Sequence, residues 1–457
     1  MPGGACGKGT MHRSVAEHQE AVTELLRRSW AGFPSPVMDD GGTPVPLSLA
    51  RGRVLAQDLV AGMDLPPFTN SQMDGYAMWV DPALAGSERA RPAQSESVDS
   101  GKSTSYVVGE TIAAGAVPRE LPPGTAAPIM TGAMLPARAN AVVPVERAVP
   151  ALFAEAGATV ELPATAPDAF VRAQGSDVQR GSTVIAAGTI LNAAHLGLAA
   201  ALGCTELVVR RRVRVLLLTT GDEVLAPGDP AAANGLPPGM IFDANGALLR
   251  AALEESGVEV LHSHMVRDEP SALLRLLESR VGHAPAHSGA PEPTCDLVVS
   301  VGGISAGAFE VVRQALGSAG KHAEMEFLHV ALQPGGPQGL GTFRGVPFLA
   351  FPGNPVSSYV SLELFLRPAL SALLGAPTPR HRVVAALEHP LTSPLGKHQI
   401  RRGVYSGPEF ESAPSVHEVG GTSSHLLGSL GRANALIQVP AGVTALQAGA
   451  KVEVWLL

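Results

Sequence analysis

Apolar positions recur along the chain with two different periods, and the change of period divides it. In 14–28 (SVAEHQEAVTELLRR), Val15, His18, Val22, Leu25 and Leu26 fall at helical spacing, which predicts an amphipathic helix. Segments 45–60 and 104–146 carry short alternating runs rich in Val, Ala, Gly and Pro and read as β-rich. Residues 193–202 (AAHLGLAAAL) read as a short buried helix. From about 180 to 376 the pattern becomes one of apolar strands followed by helices. Strands are expected at 213–219 (VRVLLLT), 258–265, 296–301 (DLVVSV) and 346–351 (VPFLAF). Helices are expected from Asn245 to Glu255, closed by Gly257, and from Pro270 to about Arg280, capped by Asp268. Two more are expected from Phe309 to Ala319 and from Ser357 to Leu373. Alternation of this kind predicts a parallel α/β sheet. Residues 378–457 return to short β runs punctuated by Gly and Ser and read as a small all-β domain.

Length and composition narrow the class. With 457 residues, two to four domains are expected. Hydrophobic residues make up 45%, enough for real cores. The 51 glycines and 39 prolines imply many turns and Gly-lined loops. A net charge of −8, no lysine-rich tract and 4% aromatics argue against nucleic acid as a partner. Cys6, Cys204 and Cys295 are odd in number and widely spaced, forming neither a disulfide framework nor a zinc pattern. The Gly-rich start lacks the apolar core of a signal peptide, and no apolar run reaches about 18 residues. A cytoplasmic protein without a membrane span is therefore expected. Residues 1–12 read as a disordered lead, and the polar stretches 88–104 and 281–294 as mobile loops.

Three of the expected strands run into unusual loops. They are Thr219-Thr220-Gly221-Asp222-Glu223, Gly302-Gly303-Ile304-Ser305-Ala306-Gly307 and Pro352-Gly353-Asn354-Pro355, the last followed by Ser357 and Ser358. Open α/β sheets bind ligands beyond the carboxyl ends of their strands. Glycines let backbone N–H groups approach an anion, and helix N-termini add positive potential. Each loop alone could be a turn; three on consecutive strands point to a phosphate cradle. Asp222, Asp243 and Glu310 lie beside it and offer the hard oxygen ligands that Mg²⁺ takes. Asp243 and Glu310 could equally serve as helix-start residues, whereas Asp222 has no capping role at a strand end. In PPFTNSQMDGYA, Asp74 could be a base, a metal ligand or a turn former.

These residues together resemble the MoeA/gephyrin E-domain family, the molybdopterin molybdenumtransferases, over about residues 14–457. The matching stretches are PPFTNSQMDGYAM, PIMTGAMLPARANAVVPVE, TTGDEVLAPGDP, GMIFDAN, DLVVSVGGISAG, PGGPQGLG and FPGNPVSSYVSLELFLRPAL. The resemblance implies a multidomain α/β plus β fold. A central three-layer α/β domain of molybdopterin-binding type would span 178–377, and a small β-barrel 378–457. β-rich N-terminal parts would comprise a domain at 61–145 bearing MDGYA and a small linking domain from 45–60 and 146–177. Residues 1–13 would be a lead, and 14–30 a helix packing on the α/β domain. It also implies an enzyme that hydrolyses adenylylated molybdopterin, inserts molybdate and releases AMP with Mg²⁺. That enzyme would be a homodimer whose site lies between the α/β domain of one subunit and the MDGYA domain of the other. A molybdopterin adenylyltransferase and molybdoenzymes would be its partners.

By position, the resemblance assigns catalytic roles to Asp74, Asp177, Asp222 and Glu310, and metal contacts to Asp222, Asp243 and Glu310. Thr220, Gly221, Gly302, Gly303, Ser305, Pro334, Pro352, Gly353, Asn354 and Pro355 match the substrate cradle. Arg402 and Ser424 match residues implicated in molybdate binding, and an arginine with a hydroxyl suits an oxyanion. The chain departs from the pattern at Gln333-Pro334-Gly335-Gly336-Pro337, where the family usually has two lysines. His329 stands at a further usual basic position, Ser176 precedes Asp177 where a glutamate is usual, and Glu310 replaces an aspartate. Arg210, Arg211, Arg212 and Arg344 are the candidates to compensate. The alternatives these departures raise are a non-catalytic pterin-binding paralogue and a tungstate-using variant.

Overall fold

The computed structural model describes residues 13–32, 41–81, 83, 103–284, 292–304, 310–407 and 413–457. The lead 1–12, most of the two stretches read as mobile loops, Ser305 and Phe309 lie outside them. Two compact units result. One comprises 1–57, 188–191 and 207–457, the other 58–187 and 192–206.

In the larger unit, helix α1 (Val15–Ala31) starts at a reciprocal cap. The Ser14 hydroxyl accepts from the Glu17 N–H at 3.2 Å, and the Glu17 carboxylate accepts from the Ser14 N–H at 2.7 Å. Its buried face is His18, Val22, Leu25, Leu26 and Trp30, and the Trp30 indole N–H donates to the Asp296 carbonyl at 2.8 Å. The sheet beneath it contains β1 (Arg214–Thr220), β2 (Glu259–Val266), β3 (Leu297–Val301), β4 (Ala323–His329), β6 (Pro337–Phe343) and β7 (Val346–Phe351) in the order β2-β1-β3-β7-β6-β4. A two-residue strand, β5 (Leu332–Gln333), lies between β4 and β6 in the chain and joins another sheet. β2, β1, β3 and β7 are parallel, as the alternation predicted. β6 and β4 are antiparallel additions that the pattern did not reveal. The reason lies in Gly339 and Gly341, which break the apolar alternation of β6. A Cβ at Gly341 would fall 1.9 Å from the Glu324 carbonyl oxygen, so the close approach of β4 demands glycine there.

Helices cover both faces of this sheet and make three layers. One apolar layer joins α1, α2 (Ala244–Glu255), α5 (Pro355–Ser361) and α6 (Arg367–Leu374) to the sheet through Leu217, Leu249, Leu253, Val299, Leu349 and Phe365. The other joins α3 (Pro270–Arg280) and α4 (Val311–Ser318) through Leu218, Leu273, Leu277, Val298, Val312 and Phe348. The helix expected from Ser357 to Leu373 is interrupted by a π-helical turn at Leu362–Leu366. Asp268 does not cap α3; Glu269 holds the cap position without a side-chain bond.

After Gly375 the chain forms a closed barrel. β8 (Arg382–Leu387), β9 (His398–Ser406), β10 (Ser415–Glu418), β11 (Ala435–Val439) and β12 (Lys451–Leu456) pair in a ring, because β9 pairs with both β10 and β11. The short β5 adds to β9 in parallel, with Gln333 opposite Gln399. Closure leaves the ring strands no open edge.

The smaller unit is built on a five-stranded sheet in the spatial order 141–144, 75–78, 125–129, 104–108 and 159–162. A Cβ at Gly75 would lie 2.1 Å from the Val143 carbonyl oxygen, which explains the glycine of the MDGYA stretch. The Tyr76 hydroxyl beside it donates to the Leu152 carbonyl and accepts from the Ala154 N–H, each at 2.8 Å. The helix expected at 193–202 forms at Ala193–Ala201 behind an Asn192 cap, but Ala199 is its buried residue. Its many alanines present little apolar area, so it lies on the surface rather than within a core. Among the described residues, no helix is long and apolar enough to cross a membrane.

Candidate functional site

A cavity of about 1060 Å³ opens at the carboxyl ends of β1, β3 and β7. It is walled by the three expected loops, by the turn after β5 and by residues 422–425 of the barrel. Thr220, Gly221, Gly302, Gly303, Pro352, Gly353, Asn354 and Pro355 all line it, together with Pro334 and Ser424.

The loops meet through glycine. Gly302 has φ +91°, and a Cβ there would lie 2.7 Å from the Thr220 hydroxyl. A Cβ at Gly353 would lie 3.3 Å from the Gly302 Cα, so these two backbones approach where side chains would not fit. Asn245, at the start of α2, ties the third loop down by donating to the Gly353 carbonyl at 2.7 Å. The Ser358 hydroxyl in turn donates to the Pro355 carbonyl at 2.9 Å. Asn245 was readable only as a helix-start residue, because its partner lies over a hundred positions away in the chain.

The carboxylates divide into two kinds. Asp243 lines the cavity, but its oxygens accept from the Thr219 hydroxyl and the Gly246 N–H, both at 2.8 Å. It caps α2, the structural alternative left open by the sequence. Asp222 is exposed, and its Oδ1 accepts from the Asp268 N–H at 3.2 Å. Asp268 and Glu310 line the cavity with Glu223. Partial burial pushes the Asp268 carboxyl above its usual range, and the neighbouring Asp222, Glu223 and Glu310 charges add to this. In the sequence Asp268 reads only as a helix cap, because its proximity to Asp222 arises from adjacent parallel strands. Among the described residues, no three His, Cys, Asp or Glu side chains are gathered closely enough to hold a metal by themselves. Mg²⁺ usually takes one or two carboxylates and keeps several waters or phosphate oxygens, so this donor set fits such an ion.

No lysine or arginine side chain lines the cavity among the described residues. Arg402 lies behind the wall, 1% exposed, with one Nη donating to the Gly421 carbonyl. Its Nε and other Nη are buried without a partner, and burial pushes the guanidinium below its usual range. The arginines expected to compensate for the missing lysines do not reach this wall. Arg210, Arg211 and Arg212 precede β1, and Arg344 lies in the turn before β7, at the opposite ends of the strands. Arg211 and Arg214 instead clamp the buried Asp296, with contacts of 2.6 and 3.1 Å. Arg210 donates to the Leu374 carbonyl and Arg344 to that of Glu278.

Asp74 and Asp177 belong to the smaller unit, and both are exposed. Asp74 accepts from the Thr131 N–H at 2.6 Å and its hydroxyl at 2.8 Å, and these bonds hold its carboxyl below the usual range. Its carboxylate is therefore ionised and oriented.

The larger unit thus combines a three-layer α/β sheet, a glycine-lined cavity at the carboxyl ends of its strands and a closed β-barrel. Residues 216–372 match the family model described as the probable molybdopterin binding domain. Residues 13–203 match the MoeA N-terminal region (domain I and II), and 384–457 the MoeA C-terminal region (domain IV). The chain is 39% identical to molybdopterin molybdenumtransferase 2 of Mycobacterium tuberculosis, over 97% of this chain and 99% of that protein. It is 32% identical to molybdopterin molybdenumtransferase of a Nostoc species, over 90% and 87% of the two chains. The crystal structure of the molybdopterin biosynthesis MoeA protein from Pyrococcus horikosii superposes with a TM-score of 0.68 at 27% identity, covering 95% of this chain and 98% of that one. The chain belongs to the MoeA family.

Proposed function

We propose that this chain is a molybdopterin molybdenumtransferase, taking adenylylated molybdopterin and molybdate and releasing AMP and molybdenum cofactor in the cytoplasm. The single observation that carries the reading is the cavity, a glycine-lined cradle with carboxylates at one end, in a chain related to such enzymes over nearly its whole length. Backbone N–H groups of the loops around Gly302 and Gly353 hold the substrate phosphates, and the Asn245 bond to Gly353 keeps that loop in place. Asp222 and Glu310, with the neighbouring Asp268, would hold Mg²⁺. The ion, when bound, neutralises charge developing on the phosphates. Asp243 keeps the start of α2 in register rather than contributing a free carboxylate. Ser424 offers a hydroxyl to molybdate, and Arg402 is bonded to the Gly421 carbonyl, just before the lining residues 422–425. Asp74 and Asp177 act from the smaller unit, Asp74 with its carboxylate oriented by the two bonds from Thr131. The chain works as a homodimer with a molybdopterin adenylyltransferase upstream and molybdoenzymes downstream.

One assay tests the reading: the purified chain is incubated with adenylylated molybdopterin, molybdate and Mg²⁺, and AMP is measured. AMP is expected in molar equivalence to cofactor formed, and Asp222→Asn is expected to slow its release at least tenfold. No AMP above a protein-free blank would overturn it. That no lysine or arginine lines the cavity among the described residues favours a second reading, a homodimeric carrier that binds pterin without hydrolysis. That reading predicts pterin binding with no AMP release. Tungstate in place of molybdate, giving the faster reaction, would reassign the oxyanion alone.

A further inference from the structure

Gln333 ends β5 on the cavity wall, beside a barrel whose buried side chains form a chain of hydrogen bonds. An arginine has donors and no acceptor. The Arg401 Nε donates to the Gln399 Oε1 at 3.0 Å, one Nη donates to the Glu418 carboxylate at 2.7 Å, and the other to the Thr392 carbonyl at 2.6 Å. The Gln399 amide oxygen is thereby committed to Arg401, so Gln399 presents its NH₂ to Gln333. That NH₂ donates to the Gln333 Oε1 at 2.6 Å. The Gln333 amide is oriented in turn: its oxygen faces Gln399, and its NH₂ has no partner among the described residues. Gln399 and Arg401 are 1% and 4% exposed, so reversing either amide would strand a buried polar group. The orientation follows from the donor-only chemistry of arginine and needs no choice between amide oxygen and nitrogen.

We propose that Gln333 is a neutral donor to the oxyanion and that Glu418, Arg401 and Gln399 are positioning residues that aim its NH₂ into the cavity. The proposal rests on the functional reading above and deepens it at one subsite. In a cavity that no lysine or arginine lines among the described residues, an amide held in this way supplies N–H donors that a freely rotating glutamine would present only part of the time.

Isothermal titration of molybdate into the full-length protein tests this with Gln333→Leu, Gln399→Glu and the double variant. A carboxylate at 399 still accepts from Arg401, but toward Gln333 it can only accept. The Gln333 amide must then turn its NH₂ inward and its oxygen to the cavity. Each single variant is expected to weaken molybdate binding about tenfold, the scale of one hydrogen bond to a charged group. Gln399→Glu is expected to cause no further loss in the Gln333→Leu background, which a purely electrostatic effect of the new carboxylate would not reproduce. Thermal melts report whether each variant folds, and Gln333→Leu alone, at the cavity surface, tests the contact if Gln399→Glu does not. Unchanged affinity in Gln333→Leu, or equal losses that add in the double variant, would overturn the proposal. AMP release by the wild type, measured on the same preparation, tests the functional reading separately.

Discussion

The two ends of the parallel sheet have opposite electrostatic designs. At the amino ends, full charges do structural duty: Asp296, fully buried, accepts from Arg211, Arg214 and the Arg214 backbone N–H. Burial alone would raise its carboxyl, but the two guanidinium hydrogen bonds outweigh burial and hold it below the usual range. At the carboxyl ends, no lysine or arginine lines the cavity among the described residues, and the polar groups of its wall are backbone groups, hydroxyls, amides, carboxylates and the His425 imidazole. Arg211 and Arg214 are committed to Asp296 at the end of the sheet away from the cavity. On the proposed function the anion would be held by geometry rather than by lining charge, so substitutions at the cavity should change affinity, whereas those at the arginine end should change stability.

The largest effect should come from the arginine end. Asp296→Ala leaves two guanidinium groups against an emptied buried site, and a loss of about 3–5 kcal/mol is expected in denaturant unfolding. Molybdate affinity of the fraction still folded should stay within twofold; a large affinity loss at full stability would break the comparison. At the cavity, Gly302→Ala is expected to cost about 3 kcal/mol from its left-handed backbone and the collision with Thr220. Its AMP release should fall further than its stability accounts for, measured at a temperature where the variant remains folded.

A third site belongs to neither end and sharpens the division. His18 is buried against the Phe365 ring, and burial, with the nearby Arg13 charge, pushes its imidazole down to about 3. The unfolded chain takes up this proton near pH 6.5 while the folded chain does not. Stability from neutral His18 is therefore full above about pH 6.5 and is lost as the pH falls toward 3. A loss of about 2 kcal/mol is expected between pH 6.5 and 5, and His18→Phe should flatten that slope in urea titrations. An unchanged slope would show that His18 is protonated in the folded protein.

How much of this was legible in the sequence depended on the range of the interaction. The four parallel strands and their helices follow from local apolar periodicity, and the three glycine loops at their ends were visible as motifs. β6 was missed because the contact that defines it, Gly341 against Glu324, replaces an apolar residue with glycine. The capping alternative for Asp243 was visible from its neighbours, as the Gly246 N–H is three residues away. Nothing local tells Arg402 from Arg401. In the barrel, one is committed to Gln399, Glu418 and Thr392, and the other keeps two buried nitrogens without partners. Likewise, charge alone makes Arg210 to Arg212 candidate anion contacts, and the sheet direction places them at the end away from the cavity.

The most direct test of the contrast is a crystal structure of the full-length protein soaked with molybdate. Oxyanion density is expected in the cavity within hydrogen-bond reach of Ser424 and Gln333, on the wall in front of Arg402. Density at Arg211 and Arg212 instead, with the cavity empty, would contradict the account.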